Sequence, residues 1–292
     1  MSPTSPTLRL RAGLISLFVL CVVLAIWQAA TLRHDASPRA SMTPEQIEYA
    51  KLMGQPVPGG DAVARHDGFP TPAEFASVSL NNLAHPFYDR GPNDKGIGIQ
   101  LGWSLLRVAG GYLLAIIVAI PFGFLIGMSQ LLYRAFDPFI QLLKPISPLA
   151  WMPVALYTIK DASVSAIFVI FICSVWPMLV NTAFGVANVR KEWLNVSRTL
   201  EVGPLRKAFQ IVLPAAAPTI VTGMRISMGI AWLVIVAAEM LVGGTGIGYF
   251  VWNQWNNLSL PNVIFAVFVI GIVGMTLDGL FACLQRKVTY AE

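Results

Sequence analysis

The sequence predicts an all-α integral membrane protein with six transmembrane helices, and three observations predict it. Hydrophobic residues make up 55% of the chain and charged residues 12%, about half of the roughly 25% that covers a soluble domain. Six apolar runs approach or exceed the roughly 20 residues that cross a hydrocarbon core. The Lys and Arg residues of the short loops gather on one side of those runs, as the positive-inside rule requires. The same composition excludes a soluble domain, a disordered chain and a typical nucleic-acid binder. A net charge of +5 on a lipid-embedded chain reports topology instead.

The first apolar run covers residues 13–31 and follows Arg9 and Arg11. Small residues at Ala29 and Ala30 also allow a signal-peptide reading. The run is longer than the roughly 7–15 residues of a signal-peptide core, which favours a retained helix within residues 1–31. A polar insert, 32–101, follows. It has turn signals at Pro58-Gly59-Gly60 and Gly91-Pro92-Asn93-Asp94 and holds His34, His66 and His85. Residues 43–53 look helical, with Thr43 as cap and Pro44 at the first helical position. The insert reads either as a partly ordered cap over the outer mouth or as a docking surface for an extracytoplasmic partner.

The second, third and fourth runs cover 104–128, 139–159 and 163–184. Pro121, with Gly110, Gly111, Gly123 and Gly127, marks the second as kinked and closely packed. In the third, Pro145, Pro148 and Pro153 remove backbone donors and partly break the helix. Freed backbone of that kind is tolerated only against protein or a watery cavity. The fifth and sixth runs, 219–242 and 263–284, are joined by a Gly-rich link carrying Trp252 and Trp255, aromatics common at membrane interfaces. Gly223, Gly229, Gly271 and Gly274 offer close packing there.

With the N-terminus inside, the inner segments hold Arg9, Arg11, Arg134, Arg190, Lys191, Arg198, Arg206, Lys207, Arg286 and Lys287. These are half of the 20 basic residues, whereas the short outer loops offer only Lys160. Both termini are therefore expected in the cytoplasm, with 102–284 as the membrane core and 285–292 as the tail. Cys21, Cys173 and Cys283 lie far apart in apolar runs. They read as packing residues, with no zinc spacing and no disulfide framework.

Ionisable residues inside spans face a pathway or a partner. Glu239, in the fifth run, reads as part of a pathway lining or gate, or as a carboxylate paired locally near the outer end. Arg225 and Asp278 lie nearer inner ends and are expected to reach interfacial water. Lys144 opens the broken stretch that also holds Trp151. A cation there favours an anion in a translocation path, or it anchors the helix to headgroups.

The loop 185–215 carries a further pattern. Trp193, Val196 and Leu200 fall at i, i+3 and i+7 on one helical face, and Gly203-Pro204 stops that helix. Leu205, Phe209 and Val212 repeat the face on a second short helix, which Leu213-Pro214 is expected to end. Two short amphipathic helices in a tight turn suit a groove in a soluble partner, or the headgroup layer.

This loop resembles the cytoplasmic coupling loop of permease subunits of bacterial ABC importers. The pattern in that family is Glu-Ala-Ala, three residues, Gly, nine residues, then Ile, any residue, Leu, Pro. Ile211, Leu213 and Pro214 match its end. Asn195, Val196 and Ser197 stand at the opening triplet, and Glu201 stands where the family has glycine. Lys144-Pro145-Ile146-Ser147-Pro148-Leu149-Ala150-Trp151-Met152-Pro153 is similar to the third-span signature of the group serving nitrate, sulfonate, taurine and cyanate-type anions. Residues 231–241 and 243–248 are similar to its fifth-span signature, and 248–253 to the nitrate/nitrite permeases.

The resemblance covers most of 104–284. It implies a permease subunit forming the membrane path of an ATP-driven importer for a small anion, nitrate or nitrite first. A sulfonate, taurine, cyanate or bicarbonate is the alternative, and a non-transporting membrane scaffold is the reading from another class. It also implies cytoplasmic ATPase subunits holding ATP and Mg, a second permease chain (identical or related), an extracytoplasmic solute-binding protein, and a place in the bacterial inner membrane. The chain has no Gly-x-x-x-x-Gly-Lys-Ser/Thr phosphate loop, so neither enzymatic activity nor a cofactor of its own is expected. An intramembrane hydrolase would need a nucleophile–base pair, and the six runs contain no histidine.

Overall fold

The computed structural model describes residues 6–32, 69–91 and 93–288, and the helical reading of 43–53 lies outside the described residues. The chain divides into two compact units, residues 1–81 with 260–264, and residues 82–259 with 265–292. Among the described residues the structure is helical, with one isolated antiparallel bridge between Asp89 and Lys95.

In the first unit, α1 (Pro6–Leu32) contains the first predicted span. Near its end, Trp27 Nε1 donates to the Pro70 carbonyl at 2.9 Å. The Trp27 ring meets Phe69 and Phe75 at centroid distances of 5.8 and 5.6 Å. Helix α2 (Pro72–Ala84) starts from a capping box. The Glu74 N–H donates to Thr71 Oγ1 at 3.3 Å, and the Thr71 N–H donates to Glu74 Oε2 at 2.9 Å. Part of the polar insert is therefore regular helix.

In the second unit, α3 (Ile97–Met128) starts ahead of the predicted 104. Its first turns bury Gln100 and Ser104, polar residues that hide the helix from a hydropathy reading. Helix α6 (Ala162–Ala187) starts from Asp161, whose Oδ1 accepts from the Val164 N–H at 2.8 Å. The two helices meet at Gly111, Gly123 and Gly127, which share one face with the buried Ala115 and Ala119, small residues at every fourth position. A Cβ on Gly123 would fall 2.7 Å from the Leu179 carbonyl oxygen, and one on Gly127 2.6 Å from that of Ala183. The backbones themselves are in contact there. Gly229 and Gly271, expected to do the same elsewhere, face open space.

The third predicted span is two helices, α4 (Gln130–Leu143) and α5 (Pro148–Ile159), bent by 91°. Pro148 has no N–H and disfavours the helical region for the residue before it. Ser147 accordingly sits at φ −59° and ψ 135°. Lys144 closes α4, its N–H donating to the Ile140 carbonyl at 3.0 Å.

Beyond α6 come α7 (Lys191–Thr199), α8 (Pro204–Lys207), α9 (Leu213–Val242), α10 (Ile247–Asn256) and α11 (Leu260–Val288). The predicted stop at Leu213-Pro214 is absent. Instead, α8 passes through a π turn, Ala208–Val212, straight into α9. The result is 39 continuous helical residues, Pro204–Val242. Within the π turn the Leu213 N–H donates to the Ala208 carbonyl. The wider turn admits the ring of Pro214, which would clash with the preceding turn of a regular α-helix. The Gly-rich link contains α10. Among the described residues five helices are long and apolar enough to cross a membrane, six if the bent pair is one span.

Candidate functional site

The hairpin between α6 and α9 has a seated side and a bare side. Leu194 and Leu213 pack on a buried cluster of Val186, Val189, Val212, Ala216 and Ile220. Ser197 is buried in the same footing, its hydroxyl donating to the Leu194 carbonyl at 2.7 Å. Trp193, Val196, Leu200, Leu205 and Phe209 are all exposed, Leu205 at 75% and Phe209 at 67%. Val212 leaves the face predicted for it and joins the core, because the π turn shifts the helical register. Asn195 and Pro214 are exposed, and Ile211 is half-buried in the π turn. Five large apolar side chains are left uncovered on this short hairpin.

The turn of the hairpin explains the family's glycine. Helix α7 ends in a Schellman motif, with the Val202 N–H donating to the Ser197 carbonyl and the Glu201 N–H to that of Arg198, each at 3.0 Å. The motif needs a left-handed residue after the helix, and Glu201 takes that role at φ 51°. Gly203 then opens α8, its carbonyl accepting from the Lys207 N–H at 2.9 Å. Glu201→Gly is expected to stabilise the chain by about 1 kcal/mol by relieving that conformation. Thermal unfolding of the detergent-solubilised protein checks it; an unchanged or lower melting temperature contradicts the assignment of strain to Glu201.

At the break of the third span lies a cavity of about 270 Å³. Lys144, Ser147 and Trp151 line it from the broken segment, Cys173, Trp176 and Pro177 from α6, and Ile230 from α9. The structure thus brings together Lys144 and Trp151, two residues picked from sequence, and adds Cys173, which the sequence offered only as packing.

Glu239 is not among the residues lining that cavity. It is 2% exposed, and both of its carboxylate oxygens are occupied. Arg107 Nη1 donates to Oε1 at 2.7 Å, and the Ser104 hydroxyl and the Gly248 N–H approach Oε2 at 2.7 and 3.1 Å. Arg107 Nε reaches Ser163 Oγ at 3.0 Å, and its Nη1 also reaches the Thr245 carbonyl. The Ile247 N–H donates to Ser104 Oγ at 2.8 Å, and the Gly246 N–H donates to Gln100 Oε1. A Cβ on Gly246 would land on the Glu239 carboxylate, so only glycine lets the loop close over it. Helices α3, α6 and α9 and the 243–248 loop are stapled at one buried point.

Gln100, Ser104 and Arg107 are the residues that sequence reasoning missed. They sit at i, i+4 and i+7, a polar stripe at helical spacing along the start of an apolar helix. Arg225 and Asp278, expected to reach interfacial water, have exposed side chains and also form a two-point ion pair, Nε to Oδ1 and Nη2 to Oδ2 at 2.6 Å each.

Residues 111–290 match the family described as the binding-protein-dependent transport system inner membrane component. The nitrate import permease protein NrtB of Synechocystis sp. is 46% identical over 223 residues, covering 76% of this chain and 81% of that protein. The bicarbonate transport system permease protein CmpB of the same organism is 46% identical over 207 residues, covering 70% and 74%. Among solved structures, the inward-facing MetNI methionine ABC transporter aligns with a TM-score of 0.57 at 16% identity. That alignment covers 65% of this chain and 94% of the other.

Proposed function

This chain belongs to the family of binding-protein-dependent transport system inner membrane components, and from that premise we propose that it forms the membrane path of an ATP-driven importer for nitrate or nitrite. The observation that carries this function is the 46% identity, over 76% of the chain, to a nitrate import permease. Energy enters at the exposed hairpin, where Trp193, Val196, Leu200, Leu205 and Phe209 seat in clefts of two cytoplasmic ATPase subunits that hold ATP and Mg. A second permease chain and an extracytoplasmic solute-binding protein complete the assembly. It sits in the bacterial inner membrane, with both termini of this chain in the cytoplasm.

The fold supplies the transmission. The hairpin is rooted in the ends of α6 and α9 through the Val186, Val212 and Ile220 cluster, so ATP-driven closure beneath it shifts those helices as packed bodies. Such bodies switch between discrete arrangements because packed interiors deform poorly. Bicarbonate is the second candidate, favoured by the equal identity to a bicarbonate permease. Uptake by proteoliposomes holding the full complex separates the two. ATP-dependent nitrate accumulation, blocked by excess nitrite and unaffected by bicarbonate or taurine, is expected. Accumulation of bicarbonate without nitrate would overturn the nitrate assignment.

A further inference from the structure

We propose that the cavity at the break of the third span is where the travelling oxyanion pauses, held by the Lys144 ammonium and by the hydrogen-bond donors of Ser147, Trp151 and Trp176. The identity of the anion rests on the function proposed above; the site itself rests on the composition and origin of the wall. An ammonium and an indole N–H donate and cannot accept, and a serine hydroxyl can donate. No carboxylate lines the cavity. An oxyanion accepts at every oxygen, so wall and occupant are complementary, whereas a cation would meet an unbalanced positive charge.

The backbone adds to this. Ser147, Pro148 and Trp151 belong to the start of α5, a 12-residue helix, so the positive end of that helix reinforces the Lys144 field. The Ser147 side chain makes no capping hydrogen bond, which leaves its hydroxyl available to a ligand. Pro145 and Pro148 fix the corner between α4 and α5, so Lys144 and Trp151 reach one space from two helices bent by 91°. With Cys173 and Trp176 on α6 and Ile230 on α9, three spans share the wall. Any relative shift of those spans reshapes it, as a resting place inside an alternating pathway requires.

Cys173 is a native reporter within the wall. The test uses the assembled permease–ATPase complex carrying Cys21→Ser and Cys283→Ser, which remove the two exposed thiols. The rate at which a small neutral methanethiosulfonate modifies Cys173 is measured with and without sodium nitrate. At nitrate three times its dissociation constant the rate is expected to fall about fourfold, the factor by which binding depletes the free site. Sodium chloride at equal ionic strength is expected to leave it unchanged. Lys144→Gln is expected to abolish the protection, and Lys144→Arg, which keeps the charge, to retain it.

The melting temperature of the same variants with nitrate is the second measurement, because Cys173 is only partly accessible. Nitrate is expected to raise it for Lys144→Arg and not for Lys144→Gln. Absence of both effects in a complex that accumulates nitrate overturns the site and leaves the transport function standing. Protection by bicarbonate, in a complex that accumulates bicarbonate, supports the site and overturns nitrate as the cargo. Protection that survives Lys144→Gln overturns the part assigned to the lysine.

Discussion

Glu239→Ala is expected to destabilise the protein by about 3–5 kcal/mol, the usual penalty when one partner of a buried ion pair is removed. Arg107 and Glu239 have side chains only 12% and 2% exposed, so water does little to screen the charge left behind. The cost is not confined to the pair. The Gly246, Ile247 and Gly248 N–H groups are satisfied by Gln100, Ser104 and Glu239, three side chains in one network. Removing Glu239 frees the Gly248 amide and releases Ser104 from its acceptor. Thermal unfolding reads the loss, and hydrogen exchange locates it: the amides of 246–248 are expected to lose protection before those of α9. The double variant Arg107→Leu with Glu239→Leu is expected to lose less than the two single changes added together, because it leaves no orphaned charge. An additive result would show that the two residues act independently.

Phe209→Asp is expected to abolish ATP-dependent uptake while leaving membrane insertion and yield intact. Phe209 is 67% exposed, so the change removes little packing within the chain. Buried under an ATPase subunit, an uncompensated carboxylate weakens docking by at least about 2 kcal/mol, a hot-spot effect, or roughly thirtyfold in affinity. Co-purification with the ATPase subunits and nitrate uptake, measured side by side, check both parts. Normal uptake by this variant would remove the hairpin from the docking role.

The sequence carried those features whose signals are local. Apolar runs located the spans, and Pro148 foretold the break of the third because a proline acts on its immediate neighbours. The Trp193, Val196 and Leu200 spacing found one bare face of the hairpin. Pro214 misled, since a π turn just before it supplied a place where its ring fits. Val212 turned into the core for the same reason. The Glu239 network was hidden for a different reason. Ser104 and Arg107 lie 135 and 132 positions away from Glu239 along the chain, and only the packing of α3 against α9 makes them partners. Glu201 is an intermediate case: its backbone conformation has no signature in this chain, but the glycine at that position in the family pattern points to it.

Phe209 and Glu239 belong to one uninterrupted helical stretch, Pro204–Val242. Their separation is about 45 Å at 1.5 Å of rise per residue, comparable with the whole thickness of a bilayer. Under the proposed docking role, a rod of that length takes its thrust at one end and is clasped at the other. If force enters at Phe209, as proposed, it travels to the loop at 243–248 along one helix, and the π turn at 208–212 with Pro214 and Pro218 marks where that helix can bend.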